Sequence, residues 1–206
     1  MPTIHVPEEA TFEELLADRR RLGQDRYDEV WDGEDIIMPD PRFLHRVLAG
    51  RIYCLLDDIV VHEGRAIVQG SNVSDREFGW IENDIIPDLT MYRAEKVIEN
   101  DDTHVVGGPS LAIEIVSPGD RTYEKVAKYD GFGTDELLLI DRDPFVISRY
   151  ARSGEGLAAA GTAEPDAAAV TTEQVAAAWS LRTAGDGVEI VLEIDGEPHT
   201  HPLQTD

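Results

Sequence analysis

An acidic residue stands inside the most apolar stretch of this chain. Residues 111–116 read LAIEIV, in which Glu114 is the polar exception. A run this apolar predicts a strand that is buried on both faces of a sheet. A carboxylate in such a strand costs several kcal/mol unless it is paired or bound to a cation. The fold must therefore supply a partner for Glu114 inside its core.

Acidic side chains outnumber basic ones throughout the chain. The 206 residues include 42 acidic and 18 basic side chains, for a net charge of −24. This charge repels phosphates at long range, and so it argues against a basic nucleic-acid clamp. It is typical of a protein from a high-salt cytoplasm, or of an acidic protein from a GC-rich genome. Composition does not separate these two origins.

The sequence also argues against several kinds of site and location. Cys54 is the single cysteine, so the chain has neither an internal disulfide nor a cysteine-rich zinc site. Its place on an apolar helix face predicts that Cys54 is a core residue. No apolar run has the roughly 18 residues of a membrane span. Residues 1–10 carry neither a basic cluster nor an apolar stretch, unlike a signal peptide. We therefore expect a cytoplasmic protein with no membrane contact.

The first part of the chain predicts a helix, a hairpin and a second, longer helix. Thr11 and Glu14 have the spacing of a capping box, which starts a helix. Residues 27–38 predict two strands joined by a turn at 32–33. Residues 41–57 keep a helical period in their apolar positions. We expect this long helix to cover one face of a sheet through Phe43, Val47 and Leu48.

The rest of the chain predicts mostly strands. Its apolar runs indicate strands at 59–61, 66–68, 85–92, 111–116, 137–140 and 145–150, with a turn at 63–64 and a short helix over 120–132. Residues 152–170 are rich in alanine, glycine and acids and predict an exposed loop. Residues 188–194 and 198–203 predict a hairpin. The pattern predicts one α/β domain over residues 1–206, with a mixed sheet and helices on both faces.

Three further charged residues can form a site with Glu114. Asp88 stands in another apolar segment, IIPDL at 85–89, and Lys125 and Lys128 follow on the short helix. The two lysines are three residues apart, so they share a helix face. Two carboxylates can hold a hard divalent ion, which polarises a phosphoryl oxygen and activates water. A lysine can stabilise the developing charge. The set therefore points to metal-assisted phosphodiester hydrolysis.

At these residues the chain resembles a known family. Its Pro-Asp pair at 87–88, EIVSP at 114–118, EKVAKY at 124–129 and residues 138–141 are similar to motifs of the Uma-two family of restriction-endonuclease-like proteins, within the PD-(D/E)XK nuclease superfamily. Residues 27–33 are similar to the family's early strand and turn, and His45 falls where a histidine often opens its long helix. The resemblance covers roughly residues 10–150 and leaves 151–206 as a loop and a hairpin. It implies an α/β, restriction-endonuclease-like fold, with a central mixed β-sheet flanked by helices.

The resemblance also implies roles for the site residues. Asp88 and Glu114 would bind Mg²⁺ or Mn²⁺, with the carbonyl oxygen of Ile115 as a further ligand. The superfamily's catalytic lysine usually follows the acid by two residues, but that position here is a valine, so the lysine would lie on the following helix. The motif match favours Lys125 and leaves Lys128 as the alternative. Asp88, Glu114 and the two lysines are thus the candidate catalytic residues.

Several residues keep a structural alternative. Either lysine can instead be a solvated helix residue that is paired with a neighbouring acid. His45 is favoured as a structural residue of its helix, and Glu29 is either a second acid behind the site or an exposed strand residue. His199 and His201 alternate as metal ligands would, but here they are more typical of a solvent-facing strand.

Three functions are consistent with the sequence. The first is a metal-dependent endonuclease whose substrate is nucleic acid, with DNA favoured and a homodimer allowed. The second is a catalytically inactive nuclease fold that acts as a binding or regulatory protein. The third is an acidic structural domain in which Glu114 is merely salt-bridged. The acidic surface argues against tight DNA binding, but a local basic strip together with the metal can suffice at high internal salt, and the candidates for that strip are Arg121, Arg142, Arg149 and Arg152.

Overall fold

The computed structural model describes residues 11–60, 66–75, 82–93, 96, 104–117 and 119–203. The predicted turn at 63–64 and the last residue of the predicted strand at 59–61 lie outside these ranges. The helices are α1 (Phe12–Leu22), α2 (Phe43–Val60) and α3 (Lys125–Phe132), and a 3₁₀ turn (Thr122–Glu124) precedes α3. The strands are β1 (Glu29–Trp31), β2 (Glu34–Ile36), β3 (Ala66–Gln69), β4 (Val73–Ser74), β5 (Asp84–Ile85), β6 (Leu89–Tyr92), β7 (Val105–Val106), β8 (Leu111–Ile115), β9 (Glu136–Arg142), β10 (Phe145–Ser153), β11 (Gly156–Ala163), β12 (Val170–Thr172), β13 (Ala177–Ala184), β14 (Gly187–Ile194) and β15 (Glu197–Leu203).

The N-terminal helix and hairpin form as the sequence predicts. The Thr11 hydroxyl accepts a hydrogen bond from the Glu14 amide, and the Glu14 carboxylate accepts one from the Thr11 amide at 2.9 Å. Gly23 ends α1 at φ 64°, a left-handed conformation that glycine adopts at little cost. β1 and β2 then pair antiparallel across the turn at 32–33.

The long helix is displaced by a few residues from its predicted bounds. It begins at Phe43 and ends at Val60, so the expected strand at 59–61 is wrong at its first two residues. Isoleucine and valine favour strands by intrinsic propensity, and here the continuing helix overrides that preference. No helix in the described ranges is both long and apolar enough to span a bilayer.

Of the three residues expected on the buried face of α2, Phe43 is the exception. Leu48, Ile52 and Leu56 are buried, but Phe43 is 77% exposed and does not cover the sheet. Cys54 is exposed as well, so its expected place in the core is wrong. His45 and Ala49 are also buried, and Val47 is half-buried.

The central sheet is mixed, as predicted. Its strand order is β11-β10-β9-β8-β6-β3, and β8 with β9 is its one parallel pair in the described ranges. The chain returns through α3 between these two strands, which lets them run in the same direction. All five residues of β8 are buried, and β8 has a neighbour on each side. The strand that holds Glu114 is therefore central.

Both faces of the central sheet are covered. Ile113 and Ile115 pack in a core with α2 and a four-stranded antiparallel sheet, β12-β13-β14-β15. Ala112 packs in a second core with Tyr129 of α3 and a five-stranded sheet, β2-β1-β5-β4-β7. The predicted α/β architecture with helices on both faces is confirmed. Because side chains alternate along a strand, Glu114 lies on the side of α3.

Two strand predictions need correction. Residues 85–92 contain the last residue of β5 and the whole of β6, and these strands belong to different sheets. Pro87 lies between them, and it lacks the amide that a continuous ladder needs. Residues 152–170, expected as a loop, contain β11, which pairs with β10 with one register shift between Arg149 and Tyr150. Alanine and glycine are weak strand formers, and pairing with a neighbour overrides that preference. The predicted hairpin is present as β14 and β15.

Candidate active site

Asp88 is held at the carboxyl end of β8. It precedes β6, and its Oδ2 accepts a hydrogen bond from the Ile115 amide at 2.8 Å. Its Oδ1 lies 2.6 Å from Nε2 of His45 in the first turn of α2. The other ring nitrogen of His45 lies 3.3 Å from Oγ of Ser117, just beyond β8. Both oxygens of Asp88 are therefore fixed beside the strand that carries Glu114.

Glu114 is buried under α3. Its side chain is 4% exposed. Its Oε1 accepts hydrogen bonds from the Tyr129 hydroxyl at 2.6 Å and from the Lys125 ammonium at 3.1 Å. Lys125 and Tyr129 are four residues apart and so project from one face of α3. One turn of helix thus supplies the partners that the burial of Glu114 requires.

Glu29 lies behind Glu114 and shares its lysine. Its Oε1 lies 2.7 Å from Nζ of Lys125 and accepts a hydrogen bond from the Ile86 amide at 2.9 Å. Its Oε2 accepts a hydrogen bond from the Trp31 indole at 2.8 Å. With its side chain 1% exposed, Glu29 is a buried acid of this cluster and not an exposed strand residue.

The cluster holds more negative than positive charge. Burial raises the pKa of Glu114 to about 7; Lys125 opposes this rise, and the charges of Asp88 and Glu29 add to it. Burial alone would lower the pKa of Lys125, but Glu114 and Glu29 outweigh burial and hold that pKa above its ordinary value. Burial and the charge of Glu114 also raise the pKa of Tyr129, so its hydroxyl stays protonated. The Lys125 ammonium contacts two of these three carboxylates, and a further cation would relieve the repulsion among all three.

Lys128 lies outside this cluster. Its Nζ is 2.6 Å from Oδ2 of Asp32 and 3.3 Å from Oδ1 of Asn83. Three residues on a helix differ by about 60° in direction, which is enough for two long side chains to reach different partners. The shared face of Lys125 and Lys128 therefore does not bring both to Glu114.

The donor atoms suit a hard cation. Asp88, Glu114 and the carbonyl of Ile115 offer oxygen ligands, which Mg²⁺ and Mn²⁺ prefer. Among the described residues, the hydrogen bonds to the Glu114 side chain both go to Oε1, which leaves Oε2 for a metal. Across the described ranges, no three histidine, cysteine or acidic side chains are grouped so that they could hold an ion. A metal at this site would need water to complete its shell, as Mg²⁺ usually does.

Two contacts of the site differ from the sequence interpretation. His45, interpreted as a structural helix residue, contacts Asp88 across 43 positions of sequence, and no local pattern signals such a contact. Tyr129, which was not singled out, follows Lys125 by four residues, and that spacing is a usable signal. The histidine pair on β15 has no place in the cluster: His199 is exposed and His201 is half-buried.

A model of the family described as "Uma2: Putative restriction endonuclease" matches residues 10–184. The chain belongs to the Uma2 family. This membership confirms the resemblance to the Uma-two family, and the match continues past residue 150, where the resemblance was expected to stop, to the end of β13.

Solved structures agree with the fold of this Uma2 chain. It is similar to the crystal structure of a putative nuclease belonging to DUF820 from Anabaena variabilis, with a TM-score of 0.57 and 18% sequence identity. The similarity covers 71% of this chain and 82% of that chain. At this identity the likeness establishes the fold. No curated protein matches the Uma2 chain.

Proposed function

We propose that this Uma2 protein is a divalent-metal-dependent endonuclease that hydrolyses phosphodiester bonds in nucleic acid, with DNA as the favoured substrate. The observation that carries the proposal is the meeting of Asp88, Glu114 and Lys125 around the carboxyl end of β8. Two acids beside a lysine at the end of a central strand meet the needs of metal-assisted hydrolysis. Membership of a family described as restriction endonucleases supports the same reaction.

Asp88, Glu114 and the carbonyl of Ile115 would hold the metal ion. When bound, Mg²⁺ polarises a phosphoryl oxygen and lowers the pKa of the attacking water. His45 and the Ile115 amide each fix one oxygen of Asp88, which presents that carboxylate in one orientation. His45 is therefore a positioning residue for Asp88.

Lys125 acts through Glu114 in this proposal. The side chain of Lys125 is 3% exposed and both of its ionic partners are buried, so it is closed off from a phosphate in solvent. Its ammonium offsets the charges of Glu114 and Glu29 and, together with the Tyr129 hydroxyl, holds Oε1 of Glu114. Lys125 is thus a positioning residue, and its loss should weaken metal binding as well as lower turnover.

The test is a cleavage assay with Mg²⁺ and with Mn²⁺ on plasmid DNA, linear duplex, single-stranded DNA and RNA, at low and high KCl. Asp88→Asn and Glu114→Gln should each abolish cleavage, and calorimetry should show that Mn²⁺ binding is lost while the circular dichroism is unchanged. Asp195→Asn, an exposed acid in the turn between β14 and β15, is the matched control and should cleave normally. Cleavage that survives both site substitutions would refute the assignment.

The positioning roles have their own readouts. Tyr129→Phe should weaken Mn²⁺ binding and lower kcat, because it removes a 2.6 Å hydrogen bond to Glu114, with little change in KM for nucleic acid. Lys128→Met is the control for Lys125→Met, since Lys128 pairs with the exposed Asp32. Equal losses in these two lysine variants would mean that Lys125 has no special role at the metal.

A second candidate function is a nuclease fold that binds nucleic acid without cutting it. The burial of Lys125 and the net charge of −24 favour this alternative, because neither helps to bind or activate a phosphate. Mn²⁺ binding that depends on Asp88 and Glu114, without cleavage of any substrate in the panel, would support this alternative over the endonuclease.

A further inference from the structure

Of the four arginines expected to form a basic strip, three are neutralised by acids. Their ion pairs are Arg121 with Glu124, Arg149 with Glu136, and Arg152 with Asp130. The fourth, Arg142, has no acidic partner of this kind in the described part of the chain. Its side-chain Nε is buried and makes no hydrogen bond there. In a chain with a net charge of −24, an unpaired buried cation calls for an explanation.

Arg142 faces a cleft between α2 and β15. The cleft has a volume of about 250 Å³, and Phe43, Leu44, Arg51, Arg142 and Pro202 are among the residues that line it. Two of the described lining residues are arginines, the others are apolar, and none is acidic. Arg51 is exposed at its rim. The cleft is therefore positive and partly apolar on a strongly acidic protein.

The burial of Arg142 indicates that this side chain lacks a partner that a ligand of the cleft would supply. Arg142 is 8% exposed. A buried hydrogen-bond donor without a partner costs more stability on a charged group than on a neutral group. An anion that enters the cleft would meet the part of Arg142 that lines it and would offset the charges of Arg142 and Arg51. A planar guanidinium suits carboxylate or phosphate oxygens, which it can bind in pairs.

The cleft opens beside the candidate active site. Phe43 at its rim is two residues before His45, which contacts Asp88. Arg142 ends β9, which runs parallel to β8 with Ile140 opposite Ile115. The carboxyl ends of these parallel strands point to one edge of the sheet, so the cleft and the proposed metal lie at the same edge. An anion in the cleft would thus lie at the same sheet edge as the proposed metal, on the α2 side of the sheet.

We propose that this cleft binds a phosphate of the nucleic-acid strand next to the scissile one, through Arg142 and Arg51, while Phe43 stacks on the attached base. This inference rests on the proposed function, since it assigns part of that enzyme's substrate site. A side chain that is 77% exposed at the rim of a positive cleft suits base stacking, because every base has a π-face. A base that stacks on Phe43 must be unpaired, so the cleft favours single-stranded nucleic acid or a frayed end.

Charge complementarity argues for this occupant over an apolar peptide. The lining has two arginines and no acid, so it would repel a basic peptide. An apolar peptide in the cleft would leave Arg142 without a partner. A nucleic-acid strand supplies both an anionic phosphate and a base, and the lining of the cleft offers two arginines and an aromatic ring.

The test measures binding of a fluorescein-labelled single-stranded DNA by anisotropy in Ca²⁺, across a series of KCl concentrations. Arg51→Gln should weaken binding about tenfold and lower the slope of log Kd against log salt by about 0.7, the loss of one phosphate contact. Arg142→Gln should do the same. Arg182→Gln is the matched control, because Arg182 is exposed and pairs with Glu189, and it should change neither quantity.

Phe43 has a separate control. Phe43→Ala should raise KM for single-stranded DNA and leave kcat and the salt slope unchanged, and Phe43→Trp should restore KM. Phe12→Ala removes an exposed phenylalanine from α1, which is 55% exposed, and should have no effect. Arg51 and Phe43 are exposed, so these substitutions keep the test decisive even if the Arg142 variant fails to fold.

The outcomes separate the cleft from the catalytic proposal. If Arg51→Gln and Phe43→Ala weaken binding but the parent protein cuts no substrate, the proposal for the cleft is supported and the proposal of an endonuclease is wrong. If the parent cuts DNA and these variants bind and cut like their controls, the cleft is wrong and the endonuclease stands. If the protein binds inorganic phosphate but not the oligonucleotide, or if it binds neither, the assignment of the cleft as a nucleic-acid site is also wrong.

Discussion

Replacing Lys125 with methionine should destabilise the fold far more than the same change at Lys128. The Lys125 ammonium lies 2.7 Å from Glu29 and 3.1 Å from Glu114, and all three side chains are at most 4% exposed. Methionine keeps most of the volume, so the change removes charge rather than packing. Removing one partner of a buried ion pair costs about 3–5 kcal/mol. For a protein of this size, that lowers the melting temperature by about 6–20 °C.

The loss should grow as the pH rises. Without the ammonium, the pKa of Glu114 moves further above its value of about 7, because the opposing charge is gone. A carboxyl whose pKa is raised by folding contributes its stability at low pH and loses it as the pH rises through the folded pKa. The gap between parent and Lys125→Met should therefore be nearly constant below about pH 7, where both proteins lose the contribution of Glu114 at the same rate, and should widen above pH 7 by at most about 1.4 kcal/mol per pH unit.

Urea titrations followed by tryptophan fluorescence at several pH values measure this gap. Lys128→Met should cost about 0–1 kcal/mol with little pH trend, since its partner Asp32 is 78% exposed. Adding Glu114→Gln to Lys125→Met should recover part of the loss, because it removes one of the two stranded carboxylates. If the two lysine variants lose equal stability, or if the loss at Lys125 is the same at every pH, the electrostatic account of the cluster is refuted.

Three further predictions concern other parts of the molecule. Burial raises the pKa of Asp84 to about 7, so the contribution of Asp84 to stability falls as the pH rises towards 7. Asp84→Asn should therefore raise the free energy of unfolding by about 1–2 kcal/mol at pH 8 and by little near pH 4. A lower free energy of unfolding for this variant in urea titrations at pH 8 would contradict the prediction. The melting temperature should climb with KCl because salt shortens the Debye length from about 30 Å at 0.01 M to 3 Å at 1 M, and a flat midpoint would mean that the excess acids are well dispersed. Cys54 is exposed and should react with a thiol reagent in the native protein as fast as in urea, whereas protection until unfolding would place it in the core.

The parts of the fold that depend on neighbouring residues could be predicted from the sequence. The capping box at Thr11 and Glu14 needs contacts over three residues, and the hairpin of β14 and β15 needs one turn. The unfavourable burial of Glu114 could be inferred from its apolar neighbours, and one turn of α3 supplies its partners. Local chemistry determined these elements, so a local pattern was enough.

Contacts between distant segments could not be predicted in the same way. Glu29 meets Lys125 across 96 positions of sequence, and His45 meets Asp88 across 43. Whether Glu29 is buried depends on where α3 packs, and no spacing near Glu29 encodes that. β11 is a strand because β10 offers it a partner, and its own composition argues otherwise. The exposure of Phe43 likewise depends on where the sheet ends under α2.

The C-terminal sheet has a consequence for how the chain is made. Its four strands pair in chain order, so each hairpin can close as soon as it is synthesised. Yet Trp179 and Leu192 of this sheet belong to the same core as Leu48 of α2. A nascent chain grows from its N-terminus, and so α2 and the central sheet leave the ribosome before their cover exists. Until β13–β15 have emerged, the apolar surface under α2 is open to chaperones and to other nascent chains. A chain truncated before β13 keeps this apolar surface exposed and is therefore prone to aggregate.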